Sequence, residues 1–161
     1  MLVLKLIYHI TSAIEKIWYK LLFRNNFKFG KGFNFRKGFS MAIEEGGVIE
    51  IGKYCFFNNY CSLNALSKIS IGDNCIFGEN VRIYDHNHRF SDKTKGIMEE
   101  GYSKEPVIIG KDCWIGSNVT ILKGVKIGDN VIIGAGVVVN EDIPSNMVIR
   151  ANNELLMEER R

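Results

Sequence analysis

The sequence predicts an all-β fold: a parallel β-helix of about five coils, preceded by an N-terminal amphipathic α-helix and followed by a short C-terminal helix. The main observation is a six-residue period between residues 107 and 139, with a large apolar residue at every sixth position and a smaller one two places before it. The large residues are Ile109, Ile115, Ile121, Ile127, Ile133 and Val139, and the smaller ones are Val107, Cys113, Val119, Val125, Val131 and Val137.

A hexapeptide period has a geometric reason. In each six residues, two side chains of a short strand point inward and the others turn a corner, so that three hexapeptides close a triangular coil of about eighteen residues. Coils then stack at the strand spacing of about 4.8 Å through backbone hydrogen bonds. Gly110, Gly116, Gly128 and Gly134 follow large inward residues. We expect them at the corners because glycine adopts positive φ without a Cβ clash.

The period divides the chain into three parts. Residues 27–144 form the predicted β-helix, residues 1–26 carry the N-terminal helix, and residues 145–161 form a tail with a short helix from residue 153. The longest interruption of the period is a polar, charged loop at residues 84–106. Loops of this length are uncommon in compact domains and tend to be functional.

The start of the β-helix is basic and rich in phenylalanine, a composition also found in nucleic-acid-binding segments. The six-residue spacing favours a different interpretation. Phe27, Phe33 and Phe39 are six residues apart, and so are Phe29, Phe35 and Met41. We therefore predict a bulky first coil with its lysines and arginines outside, and no nucleic-acid partner.

The N-terminal segment, residues 1–24, has apolar residues at steps of three and four, which is typical of an amphipathic helix. The stripe contains Val3, Ile7, Ile10, Ile14, Ile17 and Leu21. Charged residues within the segment argue against a spanning helix. The stripe favours a helix packed on the first coil. The alternative is a helix on an anionic membrane face, since residues 1–37 hold eight Lys or Arg and one acidic residue.

The composition is that of an ordinary soluble domain, with 161 residues, of which 46% are apolar and 24% charged. All four cysteines fall at the small inward position, where cysteine behaves as a small hydrophobe, and no C-x-x-C pair indicates zinc. They are Cys55, Cys61, Cys75 and Cys113. Free buried thiols fit a reducing compartment. We therefore expect a cytoplasmic protein, at the inner membrane face if the N-terminal helix binds lipid.

These features together resemble the left-handed β-helix, hexapeptide-repeat acyltransferases. The motifs that carry the resemblance are IGDN at 71–74 and 127–130, DCWIGSNVTILKGVKIG at 112–128, IGAGVVV at 133–139 and DIP at 142–144. Within the family, the DHNH loop resembles that of short sugar and capsular-polysaccharide O-acetyltransferases, with galactoside and maltose acetyltransferases as more distant relatives. The resemblance implies the left hand, acetyl-CoA as co-substrate and a homotrimer with active sites between subunits.

Acetyl transfer to a hydroxyl needs a base that removes the proton as the oxygen attacks the thioester, and imidazole is suited to this role at neutral pH. The chain has three histidines, and His9 lies in the N-terminal helix, which leaves His86 and His88. The resemblance assigns the general base to His86. Asp85 is a candidate to orient the imidazole or, like His88, to contact the acceptor.

The resemblance also indicates binding residues. Asn58 aligns with an asparagine that positions the acceptor sugar, and Asn59 is an equally placed alternative. Trp114 stands at an outward position and is implied to line the path of the pantetheine arm. Ser117 and Ala135 match residues whose backbone amides contact the thioester carbonyl and the pantetheine arm. They are eighteen residues apart, so we expect them to stack along one corner.

We therefore expect an enzyme that transfers acetyl from acetyl-CoA to a hydroxyl of a sugar, or of a polysaccharide or glycolipid precursor, by His-assisted direct attack in a ternary complex without a metal. N-acetylation of an amino-sugar nucleotide is the alternative. A gamma-type carbonic anhydrase, which needs three zinc-binding histidines, and a non-catalytic hexapeptide scaffold are less favoured. One departure from the family is that Asn140 and Glu141 replace a small residue and a lysine near the CoA phosphates.

Overall fold

The structure, a computed structural model, describes the backbone of residues 2–151 and the side chains of residues 10–151. Helix α1 spans Leu2–Phe23 and continues into a 3₁₀ turn at Arg24–Asn26. Short parallel strands then wind into a left-handed, three-sided prism of about six turns. The predicted fold class is thereby confirmed.

Three parallel sheets form the faces of the prism, and each full coil contributes one strand to each sheet. The first face contains β1 (Phe27–Phe29), β4 (Val48–Ile51), β7 (Lys68–Ile71), β12 (Val107–Ile109) and β15 (Lys126–Ile127). The second contains β2 (Asn34–Phe35), β5 (Phe56–Phe57), β8 (Ile76–Phe77), β13 (Trp114–Ile115), β16 (Ile132–Ile133) and β18 (Val148–Ile149). The third contains β3 (Ser40–Ile43), β6 (Ser62–Ala65), β9 (Arg82–Tyr84), β14 (Thr120–Ile121) and β17 (Val138–Val139). Two further strands, β10 (His86–His88) and β11 (Tyr102–Lys104), pair antiparallel within the inserted loop.

The coil stack continues beyond residue 144, where the sequence pattern predicts its end. Ile143 bridges to Ile127 on the first face, and β18 pairs with β16 on the second. A partial sixth coil therefore closes the described chain. The short helix predicted from residue 153 onwards lies outside the described residues.

The core of the prism consists of the predicted inward pairs. The twelve inward residues between 107 and 139 are all 9% exposed or less. In the first coil, the rings of Phe35 and Phe39 stack with their centroids 4.4 Å apart, and Phe33 packs against both. The six-residue spacing of phenylalanines thus produces a bulky aromatic first coil, as predicted.

The corners differ from the prediction. Left-handed backbone is adopted there by asparagine, for example Asn118 at φ 59° and Asn130 at φ 55°, and by other glycines, such as Gly124 at φ 81°. Asparagine tolerates this region because its short side chain bonds locally. The glycines that follow the large inward residues do not have positive φ. They are required because coils approach closely: a Cβ at Gly116 would lie 2.6 Å from the backbone nitrogen of Ala135, one coil on.

Helix α1 packs across the open end of the first coil. Residues of a parallel strand pair alternately with the following and the preceding coil, so that Ile143 N, for example, donates back to Lys126 O at 2.9 Å. The open edge of the first coil therefore presents both N–H and C=O groups that have no preceding coil to pair with. Lys16 Nζ donates to Phe33 O and Tyr19 Oη to Phe39 O, each at 3.0 Å. The predicted packing on the first coil is confirmed.

The helix face that packs is not the predicted apolar stripe. The half-buried packing face carries Lys16, Tyr19 and the buried Ser12, which donate hydrogen bonds to acceptors at the edge that the helix covers. Burial correspondingly lowers the pKa of Lys16 and raises that of Tyr19. The described residues of the stripe face outward, with Ile14 at 62% and Leu21 at 67% exposure. Within the described chain, no helix combines the length and apolar character needed to cross a bilayer.

The close approach of coils at glycine predicts a large effect of adding one methyl group. A Cβ at Gly72 would lie 2.7 Å from the carbonyl carbon and oxygen of Gly110. Gly72→Ala should therefore lower the free energy of unfolding by about 1–3 kcal/mol, measured by urea or thermal denaturation. Gly96→Ala is the control, because the nearest neighbouring atom would lie 3.9 Å from the added Cβ, and should change stability by less than about 0.5 kcal/mol. Equal stability of the two variants would contradict the close-approach explanation.

Candidate active site

The inserted loop begins with a buried carboxylate beside a histidine. Asp85 follows β9 at the end of the third face and is fully buried. Its Oδ1 accepts from Leu66 N at 2.8 Å and its Oδ2 from Ser67 N at 2.7 Å. His86 Nδ1 lies 2.9 Å from the same Oδ1. Since a carboxylate only accepts, Nδ1–H donates and Nε2 is left for a substrate.

This arrangement bears on the two roles considered for Asp85. Its side chain has no exposed surface, which favours the role of orienting the imidazole over contact with an acceptor. Its carboxylate instead holds the His86 ring, although residues adjacent in sequence rarely face each other. The two backbone N–H groups of the preceding coil hold the carboxylate in turn, which makes the whole arrangement rigid.

The hairpin of β10 and β11 frames the histidine. His86 is opposite Lys104 in the hairpin, and His88 is opposite Tyr102. The Tyr102 ring lies 5.3 Å from the His86 ring and 4.6 Å from the His88 ring, centroid to centroid. Lys104 is ion-paired with Glu45 on the prism, which ties the hairpin to its support. His86 is largely covered, whereas His88 is exposed.

A cavity of about 100 Å³ opens in front of His86, and we call it the histidine cleft. Its lining is Ala42, Glu44, Asn64, Ala65, Leu66, His86 and Tyr102. Sequence reasoning missed Glu44, Asn64 and Tyr102. Asn64 could have been identified from the sequence, because it is a polar residue at an outward position of β6. It lies opposite Tyr84 of β9, where the inserted loop begins. Tyr102 reaches the cleft only through the hairpin, which the hexapeptide period does not predict.

Trp114, Ser117 and Ala135 lie elsewhere, on the second face and the corner that follows it. Trp114 points outward and is 52% exposed. Ser117 and Ala135 stack along one corner, as predicted, since Gly136 N donates to Ser117 O at 2.9 Å and a Cβ on Gly116 would nearly touch Ala135 N. We call the backbone of Ser117 and Ala135, together with Trp114, the amide corner.

Amides at such corners are capped where the residue one coil on carries a side-chain oxygen. Glu79 N donates to Ser117 Oγ at 3.1 Å, and Asp129 N to Ser145 Oγ at 2.9 Å. The residue one coil after Ser117 is Ala135, whose side chain has no oxygen to accept from the Ser117 amide. In the described structure, the amide N–H groups of Ser117 and Ala135 have no hydrogen-bond acceptor. Two donors one coil apart are therefore available to an elongated ligand along this corner.

Asn58 lies on the same corner, two coils nearer the N-terminus than Ser117. Its Oδ1 accepts from Arg36 Nη1 at 3.2 Å and from Asn59 N at 2.9 Å. Asn59 instead donates through Nδ2 to Glu79 at 2.8 Å. Neither asparagine lines the histidine cleft. A single chain therefore does not bring Asn58 or Asn59 to His86.

The structure thus contains two half-sites at different corners. The histidine cleft follows the third face, and the amide corner follows the second. Among the described residues, no side-chain hydrogen bond, ion pair or ring contact joins the two. In the described part of the chain, no three His, Cys, Asp or Glu side chains lie close enough together to bind a metal ion.

The four cysteines are free and buried, as predicted from their inward positions. Their thiols donate to carbonyls of the next coil, for example Cys61 Sγ to Gly78 O at 3.1 Å. Burial raises the pKa of Cys61 to about 11. A hydrogen bond with the Cys75 thiol lowers the pKa of Cys113 to about 7, but the Cys113 side chain is only 2% exposed and lies in the core. None of these four thiols lines the histidine cleft.

Comparison with family models gives two matches within the prism. Residues 106–141 match the model described as bacterial transferase hexapeptide (six repeats). Residues 68–83 match the model of the hexapeptide repeat of succinyl-transferase. The two matched segments lie on either side of the inserted loop.

Solved structures with the same fold cover most of the chain. A maltose O-acetyltransferase from Clostridium difficile is 38% identical, with a TM-score of 0.69, over 83% of this chain and 70% of that one. A hexapeptide-repeat-containing acetyltransferase from Vibrio cholerae, solved with acetyl coenzyme A, is 28% identical, with a TM-score of 0.69, over 84% of this chain and 73% of that one.

Similarity to curated sequences is more local. A probable acetyltransferase of Mycobacterium tuberculosis is 42% identical over 59 residues, which are 37% of this chain and 20% of that protein. The chain spans between 20% and 44% of the length of the curated relatives that it matches.

Proposed function

Because the chain belongs to the left-handed β-helix, hexapeptide-repeat acyltransferase family, we propose that it transfers acetyl from acetyl-CoA to a hydroxyl of a sugar, or of a polysaccharide or glycolipid precursor. The observation that carries this proposal is the Asp85–His86 pair at the mouth of a polar cleft. Asp85 fixes the ring through Nδ1, so that Nε2 takes the proton of an acceptor hydroxyl held in the cleft. Asp85 then stabilises the imidazolium that forms.

Acetyl-CoA fits the amide corner as the second substrate. Its pantetheine arm is long and carries amide carbonyls, and two uncapped N–H groups stand one coil apart along the corner. The Ser117 amide would donate to the thioester carbonyl and the Ala135 amide to the arm, while the exposed Trp114 ring packs beside them. A fixed donor aimed at the oxygen where negative charge develops contributes strongly to acyl transfer.

The transfer is direct, within a ternary complex. The four thiols are buried in the core, away from the cleft, so the acceptor hydroxyl and not a cysteine attacks the thioester. The polar lining of the cleft, with Glu44, Asn64 and Tyr102, suits an acceptor with several hydroxyl groups. Free buried thiols also fit a reducing compartment, and we place the reaction in the cytoplasm.

The assembly that completes the site is a homotrimer. The histidine cleft and the amide corner lie at different corners of one prism, and acetyl transfer needs both at one point. In a threefold assembly the corner of one prism meets a different face of its neighbour, which brings the two half-sites together. Each active site then uses His86 of one subunit and Trp114 of the next.

The first test is an acceptor screen with acetyl-CoA that follows the release of free CoA. Sugars, oligosaccharides and amino-sugar nucleotides serve as acceptors, so that O- and N-acetylation are distinguished. His86→Ala should lower turnover by about 10²–10⁴-fold without loss of thermal stability, and His88→Ala should have a smaller effect. A larger effect of His88→Ala would contradict the assignment of the base.

Direct transfer is tested with the acceptor omitted. The intact mass of the wild-type chain should then stay unchanged after incubation with acetyl-CoA, because no group of the protein is acetylated. An added acetyl group would contradict direct transfer.

The second prediction concerns the uncapped amide. Ala135→Ser should place Oγ over the Ser117 amide, as Ser145 does over Asp129. The variant should keep the stability of the wild type and lose about tenfold or more in kcat/KM for acetyl-CoA, because the donor is occupied. Lys111→Ser is the matched control, since it places a hydroxyl at the equivalent position of another corner, and should keep kcat/KM. Unchanged kcat/KM in Ala135→Ser would mean that the Ser117 amide does not contact the thioester.

The third prediction tests shared sites. His86→Ala and Trp114→Ala chains are unfolded together and refolded as a mixture, with each variant refolded alone as the control. With sites between subunits and random mixing, about a quarter of the sites contain both an intact His86 and an intact Trp114. Activity should return to about that fraction of the wild-type value. If each chain held a complete site of its own, every site would carry one lesion and the mixture would be no more active than the controls.

A further inference from the structure

The outward face of α1 is a continuous apolar strip that nothing in the described chain covers. Its members recur at helical spacing and are 52–67% exposed. They are Ile10, Ile14, Ile17, Trp18, Leu21 and Leu22. Single exposed apolar residues are normal on a protein surface, whereas a contiguous row of six indicates an interaction site.

The strip cannot turn inward at low cost. The opposite face of α1 supplies the donors for the open carbonyls of the first coil, through Lys16 to Phe33 O and Tyr19 to Phe39 O. The Tyr19 ring also contacts the rings of Phe35 and Phe39. Rotation of the helix would bury the strip against unpartnered carbonyls, which are costly to leave without donors.

Basic residues border the strip. Lys20 and Arg24 are exposed at the C-terminal end of α1, and Lys31 and Lys37 are exposed on the first coil, on which the helix packs. The one acidic residue among residues 1–37, Glu15, lies on the partly buried side. The end of the prism therefore presents an apolar centre with a positively charged border.

We propose that this strip binds the surface of an anionic phospholipid bilayer, with α1 parallel to the membrane. Apolar side chains enter the region between headgroups and acyl chains, and the border lysines and arginines pair with lipid phosphates. A second copy of the chain is disfavoured as the occupant, because it would bring two positively charged borders together. The inference is independent of the proposed acetyl transfer.

Trp18 provides a direct probe, since the chain has only two tryptophans and the other is Trp114. In the full-length Trp114→Phe variant, emission reports Trp18 alone. With vesicles of phosphatidylcholine and phosphatidylglycerol the emission should shift to the blue and the protein should float with the vesicles. With vesicles of phosphatidylcholine alone, or in high salt, binding should weaken strongly.

Two substitutions separate the apolar and charged contributions. Ile17→Glu with Leu21→Glu should weaken binding to anionic vesicles by at least about tenfold, and Lys20→Gln should weaken it less. Ile108→Glu, at an exposed apolar position on the first face of the prism, is the control and should bind as the wild type does. Circular dichroism should show that all variants are folded.

Three outcomes would overturn the proposal. One is the absence of binding to vesicles of either composition. Another is binding that Ile17→Glu with Leu21→Glu leaves intact. The third is self-association in sedimentation velocity that these glutamates abolish, without vesicle binding, which would identify a second copy as the occupant. Activity in the acceptor screen bears on none of these outcomes.

Discussion

The hydrogen-bond ladder between coils is the constraint on which the rest of the structure depends. Alternate strand N–H groups donate to the coil that follows, as Phe56 N does to Cys75 O at 2.9 Å, and the others to the coil before, as Ile143 N does to Lys126 O. The ladder holds neighbouring coils at strand spacing along three faces at once. Whatever stands at a corner must fit this spacing, so glycine is found where backbones nearly touch, as at Gly116, and asparagine where the chain turns left-handed, as at Asn118.

The same ladder determines where reactive groups can form. Corner amides lie outside it and depend on a side chain one coil away for a partner. The Glu79 amide finds the Ser117 hydroxyl, whereas the Ser117 amide faces Ala135 and stays free. The amide corner therefore results from a single missing oxygen. By contrast, the histidine cleft requires an interruption of the period, because a continuous prism offers no place for a side chain such as His86 to be held by a buried carboxylate.

The interior could be predicted from the sequence because each inward position repeats at a constant interval and its burial follows from the interval alone. The packing face of α1 could not, since an apolar stripe predicts the buried face only where the partner surface is apolar, and here the partner edge also presents backbone carbonyls that need donors. The contact of Asp85 with His86 depends on backbone direction at the end of β9, which no periodicity encodes. Glu44 reaches the cleft from the prism and Tyr102 from the hairpin. Their proximity depends on how the strands pair in the folded chain, which the sequence pattern does not show.

The way in which α1 covers the first coil has a consequence for chain assembly. Because the strands are parallel, each open end of such a stack presents alternating N–H and C=O groups. The two ends are complementary, so uncapped stacks can join head to tail without closure, which is the geometry of a filament. By supplying Lys16 and Tyr19 to carbonyls of the first coil, the helix acts as a terminator that keeps the molecule finite.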